Sequence, residues 1–352
     1  MKSIIHERPG VYSSYDASTA IRGGRAVRTI GVAAKSVSGT ANAVVRLTSY
    51  EQGLAAFGED ESGKAGMSTL LRLLFQGGAS AVAAVKVDGA DYETAFAALQ
   101  TAEDVQVVIC DSGELEVQQA LRASLESASA ARRERIAVVG MHGATVTELT
   151  ARAEALNSER IALVGPDCLD GGGKPLAGVF AAAAVAAAAA SSRDPAVPIN
   201  GTALPGLAGV SQDYSDNDID LLVRGGVTPL EAAGGAVSPV RGITTRTSTG
   251  GVKDATWREL TTILIVDDVI PSIRRSLRSR FSQAKNTLRT RGAIRAQTIV
   301  ELESKLRAEI IDGYSDVSVS ASGDDPSVCL VEFGFSVAHG LNQIYLTAHI
   351  TI

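Results

Sequence analysis

The sequence predicts an α/β protein in two parts. The first is a doubly wound, mostly parallel sheet domain; the second is an α+β C-terminal domain. An extended arm precedes them and a strand ends the chain. Three observations lead there. Short continuous apolar runs ("TIGVAAK", "AVAAVKV", "VQVVIC", "RIAVVG", "RIALVGP") alternate with amphipathic stretches, as expected for strands buried on both faces. After residue 196 the texture turns Pro- and Gly-rich and a second helix–strand unit follows. Both ends read as extended segments. The implied division is an arm over 1–22, a sheet domain over 23–240 and a C-terminal domain over 241–352.

The arm, "ERPGVYSSYDAS", has Pro-Gly punctuation and then Val11, Tyr12 and Tyr15 among small polar residues. It is too short and polar to bury itself, so it is either a free end or a strand for another sheet. "TIGVAAK" (29–35) is the first strand. "TSYEQGLAAFG" (48–58) reads as a capped helix stopped by Gly58, and "MSTLLRLLFQGG" (67–78) as a second helix with a glycine stop. Strands at 81–87, 105–110, 135–140 and 160–166 follow. Between the later ones lie the helix "ELEVQQALRASLESASAARR" and a helix opened by Thr147. "LAGVFAAAAVAAAAASS" (176–192) is apolar but mostly alanine and short of a membrane span. It reads as a buried helix, closely approached by another backbone and ended by Asp194-Pro195.

"DYSDNDID" (213–220) reads as a surface loop, and "LLVRGGVTPLEAAGGAVSPVRGITTRTSTGG" as short strands joined by turns. "WRELTTILIVDDVI" is expected to be a buried strand. A helix over 271–290 follows, with Ile273, Leu277, Phe281, Ala284 and Leu288 on one apolar stripe. Arg274, Arg278, Lys285 and Arg289 form a basic stripe beside it. Thr298 with Glu301 matches a capping box and is expected to open the next helix. Two strands end the chain. The last alternates, with Ile344, Leu346, Ala348, Ile350 and Ile352 on one side.

Composition narrows function more than it identifies it. With 45% apolar and 20% charged residues, the chain is ordinary for a soluble globular protein, and "MKSIIHERPG" lacks the apolar run of a secretory signal. Cys110, Cys168 and Cys329 are dispersed, giving neither a disulfide framework nor a zinc motif. The net charge is −6, yet residues 271–295 hold eight Lys/Arg and no acid, leaving the rest at −14. Such a charge would repel a polyanion beyond the basic segment, and no aromatic outside the apolar stripe interleaves the arginines, so nucleic acid is not the expected partner. A membrane is not expected either.

The chemical motifs are incomplete. "CDSG" places Asp111 at a strand end, and "MHGAT" places His142 after the next strand, in the order of a subtilisin-type protease. The serine's place in "NGTALPG" holds Ala203, so no nucleophile is available. "GPDCLDGGGKP" fails as a phosphate loop, because Cys168 replaces the first glycine and Pro175 follows the lysine. The four histidines have no metal-binding spacing. No catalytic, cofactor or metal site is expected; a soluble enzyme with a ligand in the sheet crevice remains the alternative reading.

In order along nearly the whole chain, the segments resemble those of contractile-tail sheath proteins of phages and tailocins. "ERPGVYSSYDAS" is similar to the family's arm and "LLVRGGVTPLEAAGGAVSPVRGITTRT" to its transition segment. "WRELTTILIVDDVIPSIRRSLRSRF" with "TIVELESKLRAEI" and the final strands resembles its C-terminal domain. The resemblance implies a subtilisin-like sheet domain without activity, which accounts for Asp111 and His142 without a serine. It also implies stacked hexameric rings of this chain around an inner tube, with arm and last strand (Val11, Tyr12, Tyr15; Ile344, Leu346, Ala348, Ile350) exchanged between subunits. Tube protein, baseplate and tail terminator are the further partners implied. Arg274, Arg278, Lys285 and Arg289 would face the tube, in a particle assembled in a bacterial cytoplasm.

Overall fold

A computed structural model describes residues 28–61, 64–323 and 327–342. The arm residues Val11, Tyr12 and Tyr15 and the last-strand residues Ile344, Leu346, Ala348 and Ile350 lie outside the described residues.

Eight strands form the central sheet: β1 (Thr29–Ala34), β2 (Val44–Leu47), β3 (Val82–Lys86), β4 (Val105–Cys110), β5 (Ile136–Gly140), β6 (Ile161–Gly165), β9 (Val227–Ala233) and β10 (Ala236–Pro239). Two short strands, β7 (Cys168–Leu169) and β8 (Gly209–Val210), pair with each other beside it. The sheet order is β10-β9-β6-β5-β4-β1-β3-β2, with β2–β3 and β9–β10 the antiparallel pairs. From β1 the chain runs to the edge strand β2, returns through β3 beside β1, and then steps outward on the other side from β4, so β1 and β4 flank the point where the winding reverses.

Helices cover both faces. On one lie α1 (Tyr50–Phe57), α2 (Met67–Gln76) and α6 (Gly178–Ser191), with Phe57, Leu70, Leu71 and Phe180 in the core against Val32, Val107 and Val138. On the other lie α3 (Tyr92–Leu99), α4 (Leu115–Ala130), α5 (Val146–Leu156) and α7 (Asp216–Arg224), burying Phe96, Leu121, Leu149 and Leu222. The alanine-rich α6 is buried over almost its whole length. Its small side chains allow contact at backbone distance: a Cβ on Gly140 would lie 2.1 Å from the Gly178 carbonyl oxygen, and one on Gly77 2.5 Å from Ala187 Cβ.

Several local expectations are corrected. The stretch read as a strand from Trp257 is mostly the first half of a 22-residue helix, α8 (Leu260–Phe281). An apolar run cannot separate a strand from a helix buried all round, and α8 is buried on two sides by two cores. Leu260, Ile263 and Leu264 join the sheet domain's core, whereas Ile265, Val269 and Ile273 join a third one. Pro271 therefore sits inside a helix instead of opening one. The basic helix does not run to 290: α8 ends at Phe281, and α9 (Leu288–Arg307) starts at a Thr287 cap whose hydroxyl accepts the Thr290 N–H at 3.2 Å. Ala284 and Leu288 consequently leave the apolar stripe, and Leu288 is 80% exposed. Thr298 is buried in mid-helix, its hydroxyl bonded to the Ile294 carbonyl at 3.0 Å.

Two smaller corrections involve caps. Thr145, not Thr147, opens α5, in a reciprocal box with Glu148. "DYSDNDID" is not a loop throughout: Ser215 and Asp218 make a capping box that opens α7, which takes in Leu221 to Arg224. A minor hairpin, β11 (Ser248–Thr249) with β12 (Val252–Lys253), precedes α8. The third core is closed by the antiparallel pair β13 (Ile311–Ala321) and β14 (Cys329–Val337), whose Tyr314, Phe333, Phe335 and Val337 pack on α8 and α9. Among the described residues, no helix is long and apolar enough to cross a membrane.

Candidate functional site

The crevice at the winding reversal is where a doubly wound sheet would hold a small ligand. Here it is occupied by the protein's own groups. Asp111 follows β4 and accepts the Lys35 N–H at 2.9 Å on one oxygen and the Tyr92 hydroxyl at 2.7 Å on the other. Burial pushes the Asp111 carboxyl up, opposed by those hydrogen bonds, and burial also raises the Tyr92 phenol. His142 does not join Asp111; its Nδ1 lies 2.7 Å from Asp167, which also accepts the Gly143 N–H at 2.7 Å. The two residues that read as two-thirds of a triad thus belong to separate polar pairs. Ala203 lines a groove of about 460 Å³ formed with Gln76, Gly77 and Ser192. Those last two residues end α2 and α6 close to Arg28, at the opposite, N-terminal edge of the strands.

Two exposed features, a sheet edge and a basic surface, lie in the C-terminal part. β13 and β14 pair only with each other among the described residues, so each has an open outer edge. Val328 and Leu330 beside that edge are 40% and 46% exposed. A two-stranded sheet with open edges and exposed apolar residues is a template for another strand.

The basic residues divide into two sets. Arg274 pairs with Glu134 at 2.7 Å and is two-thirds buried, so it is not part of a free stripe. Arg291 donates to Asn286 at 3.0 Å and Arg295 to the Val317 carbonyl at 2.8 Å. Arg278, Arg280, Lys285 and Arg289 are exposed and make no ion pair among the described residues. They are spread over the end of α8, the 282–287 connection and the start of α9. The stripe expected on one helix is a cationic patch around a helix–turn–helix corner, because the chain reverses after Phe281.

Family comparison decides the class. The model of the phage tail sheath protein central domain matches residues 85–245, and that of the phage tail sheath C-terminal domain matches residues 252–351. This chain belongs to the contractile tail sheath family. It is 28% identical over 252 residues to the tail sheath protein of Bacillus phage SP01, a match covering 70% of this chain and 43% of that protein. The fold is shared with the sheath tail protein of Listeria innocua (TM-score 0.74, 12% identity, 92% of this chain and 95% of that one). It is shared also with the contracted helical sheath of the anti-feeding prophage (TM-score 0.72, 16% identity, 98% and 99%). Sheath family membership accounts for a sheet domain whose crevice holds its own side chains. Sequence reasoning found β14, the first of the two closing strands, but missed its partner β13. The alternation of Val317 and Val319 within "IDGYSDVSVSA" is the signal that marks β13.

Proposed function

We propose that the chain is a structural subunit that polymerises as stacked hexameric rings around an inner tail tube and contracts to drive the tube through a target cell envelope. The observation that carries this reading is the family match over both domains, joined to a C-terminal sheet whose edges are open among the described residues. The arm over 1–22 and the last strand, through Val11, Tyr12, Tyr15, Ile344, Leu346, Ala348 and Ile350, add to the β13–β14 sheets of neighbours and tie subunits into a mesh. The sheet domain, 23–240, is a subtilisin-like scaffold without a nucleophile. The C-terminal domain, 241–352, forms the inner wall, although the two cores change hands within α8.

Arg278, Lys285 and Arg289 face acidic groups on the tube, and Arg274 supports them from behind through Glu134. Exposed pairs of this kind contribute about 0–1 kcal/mol each, weak enough to break when subunits swing outward yet repeated around every ring. Baseplate and tail-terminator proteins bound the polymer, in a phage tail or tailocin assembled in the bacterial cytoplasm. No nucleotide enters; the energy is stored at assembly. Negative-stain electron microscopy of the purified chain tests the reading. Tubes formed by the protein alone are expected, and particles that stay discrete under every assembly condition would remove it.

A further inference from the structure

A cluster of ion pairs outside the exposed patch lies where the sheet domain meets the C-terminal domain. Asp267, at the middle of α8, takes both amino groups of Arg160 at 2.8 and 3.2 Å, and both side chains are only 13% exposed. Arg160 also donates to the Arg135 carbonyl, which holds the guanidinium against the sheet. Further along α8, Arg274 meets Glu134, on the connection from α4 to β5. Asp268, beside Asp267, takes Lys305 of α9 at 2.6 Å, and Lys305 also reaches Ser272 at 3.1 Å. Adjacent carboxylates on one helix therefore clasp cations of two different domains.

Arg28, just before β1, lies on the sheet domain's side. Its guanidinium donates to the Ala189 and Ser192 carbonyls at the end of α6, at 3.0 and 2.9 Å, and its charge acts favourably on Asp267. Burial raises the Asp267 carboxyl against the pull of Arg160, and Glu134 adds to the rise. This carboxylate keeps its place through its cations; one partner removed leaves a buried charge uncompensated.

We propose that this network, Glu134, Arg160, Asp267 and Arg274, is the joint that fixes the C-terminal domain to the sheet domain. The orientation of the cationic patch is set through α8. The subunit then turns as one body, and the patch leaves its partner surface all at once. These residues act as positioning residues: none lies in the exposed patch. The inference rests on the sheath reading for its consequence but not for its geometry.

The test uses the full chain with Asp267→Asn, Glu134→Gln and the swap Arg160→Asp with Asp267→Arg. In both single variants the sheet domain should keep its unfolding transition, while amide exchange over residues 265–275 speeds by about tenfold or more. Tubes should still form, with lost helical order in their diffraction. The swap should restore part of both readouts. Unchanged exchange and unchanged order in Glu134→Gln, whose pair is the more exposed and safer to remove, would overturn the proposal, as would a swap no better than Asp267→Asn. If Asp267→Asn unfolds, Glu134→Gln decides alone. If the wild-type chain forms no tubes, the sheath reading fails, whereas the exchange measurement still reads the joint.

Discussion

The sheet domain and the β13–β14 hairpin are both β-structure, built to opposite standards. In the sheet, β1, β5 and β6 are buried at every residue, and helices close both faces. In the hairpin, eleven- and nine-residue strands are mostly half-buried or exposed, with one face on α8 and α9 and both edges open among the described residues. One region has both faces closed by the chain's own helices; the other leaves both edges unpaired among the described residues. The sequence carries the difference in composition. Val, Ile, Ala and Gly fill β1, β5 and β6, whereas Ser, Asp and Glu punctuate β13 and β14.

The comparison breaks most sharply at Gly140. Its Cβ position falls on the Gly178 carbonyl, backbone against backbone, where no rotamer change relieves the clash. Gly140→Val should destabilise the chain by about 3 kcal/mol or more, lowering the melting temperature by roughly 5–10 °C or leaving it insoluble. A thermal scan checks this; a variant that melts with the wild type would show that α6 is not clamped at its first turn.

The hairpin should answer in assembly instead of stability. A chain lacking residues 1–20 is expected to melt within about 1 °C of the full chain, since the three cores, among the described residues, are built from residue 30 onward. It should form no ordered tubes. Normal tubes from that truncation would mean that strand exchange through the arm is not what joins subunits.

A smaller assembly effect belongs to the cationic patch. Arg278→Glu with Lys285→Glu reverses two exposed, unpaired charges and touches no core side chain. Self-polymerisation should persist, while assembly on isolated tubes falls and becomes less salt-sensitive. Co-sedimentation with tubes at low and high salt measures it, and ordinary yields at both would place this corner away from the tube.

Legibility in the sequence follows the same division. Buried parallel strands are readable because an unbroken apolar run of five or six residues, bounded by turn residues, is too short for a buried helix. Ser49 and Gly58 mark the ends of α1 for a similarly local reason, a side-chain cap and a positive φ of 75°. Helix α8 is not readable as a helix. Its residues face two cores, so the polar face that would show a 3.6-residue period is missing until Asp267. Thr298 with Glu301 imitates a helix start because the box is a local pattern, and nothing in it records whether the helix has already begun at Thr287. Helix α3 escapes the pattern reading despite Tyr92, Ala95, Phe96 and Leu99 at ideal spacing after the Asp91 cap. Two parallel strands require a crossover between them, which is reason enough to look for it. At the basic segment the charges are legible and their geometry is not. The turn after Phe281 and the Glu134 partner of Arg274 are tertiary facts.

The smallest effect is expected at the sheet's crevice, which shares features of both regions: it is part of the finished fold, yet stands at its polar edge. Asp111 is held above its ordinary carboxylate range chiefly by burial, with the Tyr92 and Lys35 hydrogen bonds opposing. A carboxyl raised in the folded state binds its proton more tightly there than in the unfolded chain, so its ionisation subtracts stability as the pH rises from the unfolded value through the folded one. Below the unfolded value the penalty is gone. Asp111→Asn removes the ionisation and can still accept from Lys35 and meet the Tyr92 hydroxyl. The variant should therefore gain up to about 1 kcal/mol on the wild type near pH 7, a gain that shrinks toward about pH 4. Melting curves of both proteins at the two pH values give the difference of differences. A gain that instead grows on acidification would mean that the hydrogen bonds outweigh burial, and that the charge at Asp111 is an asset of the fold. In either case tube formation should be unchanged, because the crevice holds no part of the β13–β14 sheet or the cationic patch.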